Sequence, residues 1–247
     1  MKTEILFGIH PIYEALKNRR RVFSGIYIAK EKSSKRIEDI EELAEFFGIP
    51  VKNISAAQLK SMTGTDQHQG IGAMVSPYPF YDISDISDKS KSAENPQFLL
   101  LLDSVADVHN LGALIRTALC AGVSGVIIPK DRAAPPTPAV SKASAGALEH
   151  IRLTQVTNLV NTIRELKENG IWVAGTDKEA GRSLFEHDLT VPLAIVIGGE
   201  EKGIRPLVKK HCDFLISIPQ VGPLNSLNAS VAGAVLMYEV FRQRMPI

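Results

Sequence analysis

Short apolar runs alternate along the chain with segments in which apolar residues recur every three or four positions. Compact runs of four to eight suit strands, and the wider spacing suits helices. Over residues 5–75 this predicts a helix at 10–18, a strand at 23–29 (FSGIYIA), a helix at 34–47 and strands at 51–54 and 71–75. In the 34–47 segment Ile37, Ile40, Leu43, Ala44 and Phe47 share one helical face, with Ser33 or Ser34 as the cap. Residues 76–96 (SPYPFYDISDISDKSKSAENP) lose the periodicity, are dominated by Pro, Ser and Asp, and read as a linker. From residue 97 the alternation returns more strongly. Strands are expected at 98–103, 125–129, 151–156, 171–174, 193–197 and 214–218, with helices at 111–121, 140–148, 159–169, 206–211 and 227–244. Runs that are apolar on both faces suit a mostly parallel sheet covered by helices on both sides. The expected architecture is α/β: a small unit over 1–75, a linker over 76–96 and a larger domain over 97–247. Ligands of such a domain gather at the carboxyl ends of its strands.

Three segments that follow strands carry the polar chemistry of the second half. In 217–244 (SIPQVGPLNSLNASVAGAVLMYEVFRQR), Ser226, Asn228 and Ser230 crowd the point where loop becomes helix. One reading is redundant capping plus a turn; the other is a ligand-binding loop. In 103–116 (DSVADVHNLGALIR), His109 and Asn110 are placed to cap the following helix, and Arg116 lies about two turns beyond. Arg116 is either a solvated helix-face charge or a group for phosphate or carboxylate, its guanidinium being planar and permanently charged. In 198–203 (GGEEKG) the glycines permit positive φ or close backbone approach. Glu200 or Glu201 there is either catalytic, positioning, or a helix-start carboxylate favoured by the dipole. The segment is neither a P-loop nor a GxGxxG fingerprint. Among the histidines only His68 and His109 sit in candidate loops, where a capping or surface role is the plainer reading.

Composition narrows the class without choosing a function. The 247 residues are 45% hydrophobic and 22% charged, an ordinary globular balance with room for a substantial core. A formal net charge of +1 supplies no global pull toward nucleic acid, so any such pull must be local. Cys120 and Cys212 form no CxxC or zinc spacing and are expected to be buried, reduced thiols. The start shows no signal-peptide pattern and the longest apolar run, residues 98–102, is too short to span a bilayer. A cytoplasmic enzyme or binding protein, without membrane or metal, is the expectation.

Together the three segments resemble those of the SpoU (TrmH) family of RNA ribose 2′-O-methyltransferases, of the SPOUT class. The matching residues are Asn110 to Arg116 and Ala118, then Gly198, Glu200 and Gly203, then Ile218-Pro219 followed by Ser226-Leu227-Asn228-Ala229-Ser230 and Ala232. Phe7-Gly8-Ile9-His10 and His68-Gln69-Gly70 resemble the ends of the family's small L30e-like RNA-binding domain. Val108, where proline is common, and Asn225 and Ala229 depart from the pattern without removing a polar group that the family uses. The resemblance implies a deep trefoil knot in the C-terminal domain, S-adenosyl-L-methionine as cofactor, and a homodimer with active-site residues from both copies. It implies catalytic roles for Arg116, Asn110, Glu200, Ser226 and Asn228, and cofactor contacts at Thr176, Gly198, Gly199, Ile218 and Leu227. The layout is most similar to members that methylate a guanosine ribose in large-subunit ribosomal RNA. Transfer-RNA ribose methylation, or a non-catalytic RNA-binding role in ribosome assembly, are the alternatives. The N-terminal unit, with Arg19-Arg20-Arg21, is expected to hold RNA through its phosphates.

Overall fold

Along the chain the elements run β1 (Glu4–Phe7), α1 (Ile9–Asn18), β2 (Phe23–Ala29), α2 (Lys35–Phe46), β3 (Val51–Ile54), α3 (Ala56–Thr63) and β4 (Ile71–Val75). They continue with α4 (Ile83–Ser87), β5 (Phe98–Asp103), α5 (Val108–Cys120), β6 (Gly125–Pro129), α6 (Pro138–Ala143), β7 (Leu153–Val156), α7 (Leu159–Glu168) and β8 (Trp172–Thr176). The last are β9 (Leu193–Gly198), α8 (Pro206–His211), β10 (Phe214–Ile216) and α9 (Ala229–Arg244). The structure is a computed structural model that describes residues 2–30, 34–87, 96–223 and 226–245. Ser33 and Asn225, and residues 88–95 of the expected linker, lie outside the described residues. Among the described residues no helix is long and apolar enough to cross a membrane.

The chain divides into two units, Met1–Pro79 with Pro136–His150, and Phe80–Pro135 with Ile151–Ile247. The first holds a four-stranded sheet of order β1-β4-β2-β3, in which only β2 and β3 run parallel. Its core joins Leu6, Ile26, Ile71 and Val75 from the strands to Ile12 and Leu16 of α1 and Ile37, Ile40 and Ala44 of α2. Ser34 caps α2 by accepting from Ile37 N. The sequence pattern passed over β1 and α3. α3 buries only Leu59, so periodicity is silent there, although its Ser55–Gln58 capping box was readable.

Residues 136–150 belong to this first unit, although they follow β6 of the second in sequence. The expected 140–148 helix stops early: Ala145 and Gly146 adopt positive φ (52° and 88°), and Ala147–Glu149 form a 3-10 turn instead. The reason lies in Glu149, which is 1% exposed. It receives Arg21 Nε at 2.8 Å and Nη2 at 3.2 Å, and Ser141 Oγ at 2.8 Å. Arg21 also reaches Glu4 at 2.9 Å. Burying this carboxylate requires such partners, since an unpaired buried charge costs several kcal/mol.

The second unit holds a six-stranded sheet of order β10-β8-β9-β5-β6-β7, parallel throughout. β5, β6 and β9 have no exposed residue, as strands covered on both faces require. The chain leaves β5 toward β6 on one side, while β9 lies on its other side, so the strand order reverses between β5 and β9. That reversal opens a crevice at the carboxyl ends of the strands. Within the segment 76–96, residues 83–87 form α4; its Ile86 packs into the core of this unit beside Leu99 and Ile127.

Candidate active site

β8, β9 and β10 all end at one cavity of about 590 Å³. Its wall takes Thr176 at the end of β8 and Asp177 just after it, Ile197 and Gly198 at the end of β9, and Ile216 at the end of β10 with Ile218 beyond it. The Gly199–Gly203 loop, Ser226, Leu227 and the first turns of α9 line it as well. All five residues expected to touch a cofactor, Thr176, Gly198, Gly199, Ile218 and Leu227, line this space. Glu200 and Ser226 line it too. Asn110, Arg116 and Asn228 do not.

The glycines are needed for close approach, not for unusual φ. A side chain at Gly198 would overlap the backbone of Gly203 and Ile204, and one at Gly199 would overlap the Ser104 carbonyl. The loop folds back on itself, with Gly203 N donating to Gly199 O at 3.0 Å, and Gly199 N donating to Asp103 O at 2.9 Å. Only Gly203, φ 61°, uses the left-handed region.

The first motif segment meets the cavity indirectly. α5 starts at Val108 rather than Leu111, because Asp107 is its N-cap and accepts from Asn110 N at 2.8 Å. With the cap supplied by Asp107, the Asn110 side chain turns outward and its amide donates to Glu200 Oε1. Asn110 is thus not a cap, as its position suggested, but the link between the first and second segments. Arg116 lies exposed on α5, away from the cavity wall, and makes no hydrogen bond or ion pair with a described residue. Asn228 does what a cap does: its Oδ1 accepts from Ser230 N at 2.9 Å, Val231 N at 3.4 Å and Ser230 Oγ at 2.6 Å. Its contribution is to fix where α9 begins, two residues after Leu227.

Sequence reasoning missed Asp103 and Arg205. Asp103 is wholly buried at the end of β5, and accepts from Arg205 N at 2.8 Å and Arg205 Nε at 2.7 Å. One turn further along α8, Lys209 pairs with Asp177. An acid ending an otherwise apolar strand (FLLLLD) was the available signal. Cys212, the residue after α8, is half-buried rather than buried, and that burial pushes its thiol up to about 11. Cys120 is exposed on α5, not buried as expected; both cysteines are free.

In the first unit two motif residues hold nearby backbone. Gln69, at φ 59°, caps α1 from outside by accepting from Ile9 N at 3.1 Å, and His68 Nδ1 accepts from Gly70 N at 3.0 Å. The arginine triplet is not a free RNA-binding row. Arg21 is buried against Glu149; Arg20 donates to Tyr78 Oη and Pro79 O, at 3.2 and 2.5 Å; and Arg19 lies over the Phe47 ring. Burial raises the Tyr78 phenol to about 12, against the opposing pull of Arg20.

A glycine-walled cavity at the carboxyl ends of β8, β9 and β10 is a place where a parallel α/β sheet can hold a small cofactor against backbone. The SpoU rRNA Methylase family model matches residues 97–238, and the model for RNA 2′-O ribose methyltransferase substrate binding matches residues 5–81. The chain belongs to the SpoU rRNA methylase family. YacO of Bacillus subtilis (strain 168), assigned by its name to the TrmH family of tRNA/rRNA methyltransferases, is 42% identical over 244 residues, 99% of this chain and 97% of its own length. The 23S rRNA (guanosine-2′-O-)-methyltransferase RlmB of Photorhabdus laumondii is 42% identical over 242 residues, 98% of this chain and 99% of its own. Among solved structures, the SpoU methyltransferase AviRb of Streptomyces viridochromogenes, in complex with AdoMet, superposes with a TM-score of 0.82 at 24% identity, over 97% of this chain and 89% of its own.

Proposed function

We propose that the protein transfers a methyl group from S-adenosyl-L-methionine to the ribose 2′-hydroxyl of a guanosine in 23S ribosomal RNA. The single observation that carries this reading is the convergence of Thr176, Gly198, Gly199, Ile218 and Leu227 on one cavity, in a chain whose RlmB-named relatives match it end to end. The residues present fit the cofactor. Ile197, Ile216, Ile218 and Leu227 offer apolar faces to a flat purine, and the bare backbone at Gly198 and Gly199 lets it lie against main-chain groups. When bound, the sulfonium supplies an activated methyl with a good leaving group. The chain must then align the acceptor and assist loss of one proton. Alignment is the larger task, worth up to roughly 7–11 kcal/mol for ideal geometry, against about 10²–10⁴-fold for proton handling.

Arg116 is permanently protonated and is not the base. In this reading it grips the phosphate beside the target ribose, and that phosphate helps to take the hydroxyl proton. Glu200, held by Asn110, and Ser226, which lines the same cavity, orient the ribose. Asn228 sets the start of α9 and so the position of Leu227.

The site is completed by a second copy of the chain. Val231 and Tyr238, seven residues apart on α9, are each 49% exposed, and Leu119 of the adjoining α5 is 38% exposed. An apolar stripe of this kind suits a partner surface, and Arg116 on the same helix α5 would serve the partner's cavity. The C-terminal chain is knotted, residues 97–247 without the 136–150 segment form the catalytic domain, residues 1–75 with that segment form the RNA-binding domain, and the enzyme works in the cytoplasm on RNA. Arg116→Ala tests the assignment: methyl transfer should be abolished while AdoMet binding, read by calorimetry, survives. Near-normal turnover by that variant would remove Arg116 from the mechanism.

A further inference from the structure

Part of the cavity wall is a short glycine loop, and the chain fastens it at both ends. The loop leaves β9 at Gly198 and enters α8 at Arg205. In the sheet β9 lies between β8 and β5. Arg205 reaches Asp103, the last residue of β5, through both its backbone N–H and its Nε. Lys209, four residues on, reaches Asp177, the residue after β8. Two cations one helical turn apart thus grip aspartates at the ends of the two strands that flank β9. Asp103 also holds the loop's other end, since its carbonyl accepts from Gly199 N. α8 itself is seated by Val208 in the core.

We propose that α8 is a brace whose two ion pairs, Arg205–Asp103 and Lys209–Asp177, hold the Gly199–Gly203 loop closed as a wall of the cofactor cavity, which makes these four residues positioning residues. This rests on the cofactor reading above, and extends it to Asp103 at the edge of the first segment and to Asp177, Arg205 and Lys209 outside all three. A glycine loop has high conformational entropy to lose on ordering. Fixing both its ends in advance lowers what binding must contribute. The Arg205 pair is the stronger fastening, because Asp103 is fully buried and Arg205 is 37% exposed at its side chain, whereas Lys209 and Asp177 are 38% and 12% exposed.

The test compares hydrogen exchange in the full chain, free of ligand, for wild type, Asp103→Asn, Lys209→Asp and the charge swap Asp177→Lys/Lys209→Asp. The Gly199 and Gly203 amides should exchange about tenfold faster or more in both single variants and return close to wild type in the swap, with β6 amides unchanged throughout. In parallel, AdoMet binding by calorimetry should weaken about tenfold in Asp103→Asn, a residue outside the cavity wall, as the fraction of molecules with the loop closed falls. Unchanged loop exchange in the single variants would overturn the brace, as would failure of the swap to restore it. Equal loss of protection in β6 would do the same by pointing to general destabilisation. Altered exchange with unaltered AdoMet affinity would sever the brace from the cofactor. If the wild type binds no AdoMet, the cofactor reading fails, and the exchange data alone decide whether the brace exists.

Discussion

The side-chain amide of Asn110 donates to the carboxylate of Glu200, a residue 90 positions later in the chain. This one contact ties the start of α5 to the loop after β9, the first two motif segments. Asn110→Asp would set two carboxylates against each other. The expected result is a loss of about 10–100-fold in kcat/KM, about 1.4–2.7 kcal/mol of transition-state stabilisation, with the fold intact because the pair is exposed. Steady-state transfer of labelled methyl to RNA reads this directly, and wild-type kinetics would strip the pair of any role.

Gly199 has no room for a side chain, since a β-carbon would overlap the Ser104 carbonyl. Gly199→Ala should move the loop away from β5 and cost about 1–3 kcal/mol of stability, as overpacking does, with a larger proportional loss of AdoMet affinity. Gly181, which has nothing within 4 Å of the same position, is the control. Calorimetry on both variants makes the comparison; equal affinities would mean that the close approach at Gly199 does not shape the cavity.

Replacing Arg21 should damage the first unit far more than an ordinary arginine substitution. Arg21→Met leaves Glu149, 1% exposed, with its charge uncompensated, for an expected loss of about 3–5 kcal/mol. Arg21→Met combined with Glu149→Gln should recover much of that loss. Urea unfolding of the two variants checks it, and a loss below about 1 kcal/mol, the range of exposed pairs, would contradict it.

Two acids held neutral by burial set the alkaline limit of stability. Tyr78 is raised to about 12 from an ordinary 10, and Cys212 to about 11 from an ordinary 9. Above each ordinary value the unfolded chain gives up the proton first, so stability is fully present below about pH 9. It falls as pH rises through about 9–11 for the thiol and about 10–12 for the phenol. Unfolding free energies measured from pH 8 to 11.5 should decline; Cys212→Ala should flatten the lower part of that fall and Tyr78→Phe the upper part. A level profile in the wild type would be inconsistent with both burials.

The parallel sheet was legible in the sequence because β6, β9 and all of β5 before its final Asp103 are apolar along the pleat, a pattern that local reading detects. What sequence could not supply were the non-local partners that decide a polar residue's work. Asn110 looks like a cap until Asp107 takes that place. Arg21 looks like a surface cation until Glu149, 128 positions away, buries it. Residues 140–148 look like one helix until Glu149 draws the chain into a 3-10 turn. The motif glycines were readable as sites of close approach, but which backbone they approach depends on the strand order, and that is set by the whole sheet.

The most direct measurement incubates the protein with methyl-labelled AdoMet and 23S ribosomal RNA from cells lacking the enzyme, and maps the product for ribose 2′-O-methylation. The expected result is label on the 2′-oxygen of a single guanosine, with none for Arg116→Ala. Label on a base, label on transfer RNA alone, or no transfer at all would contradict it.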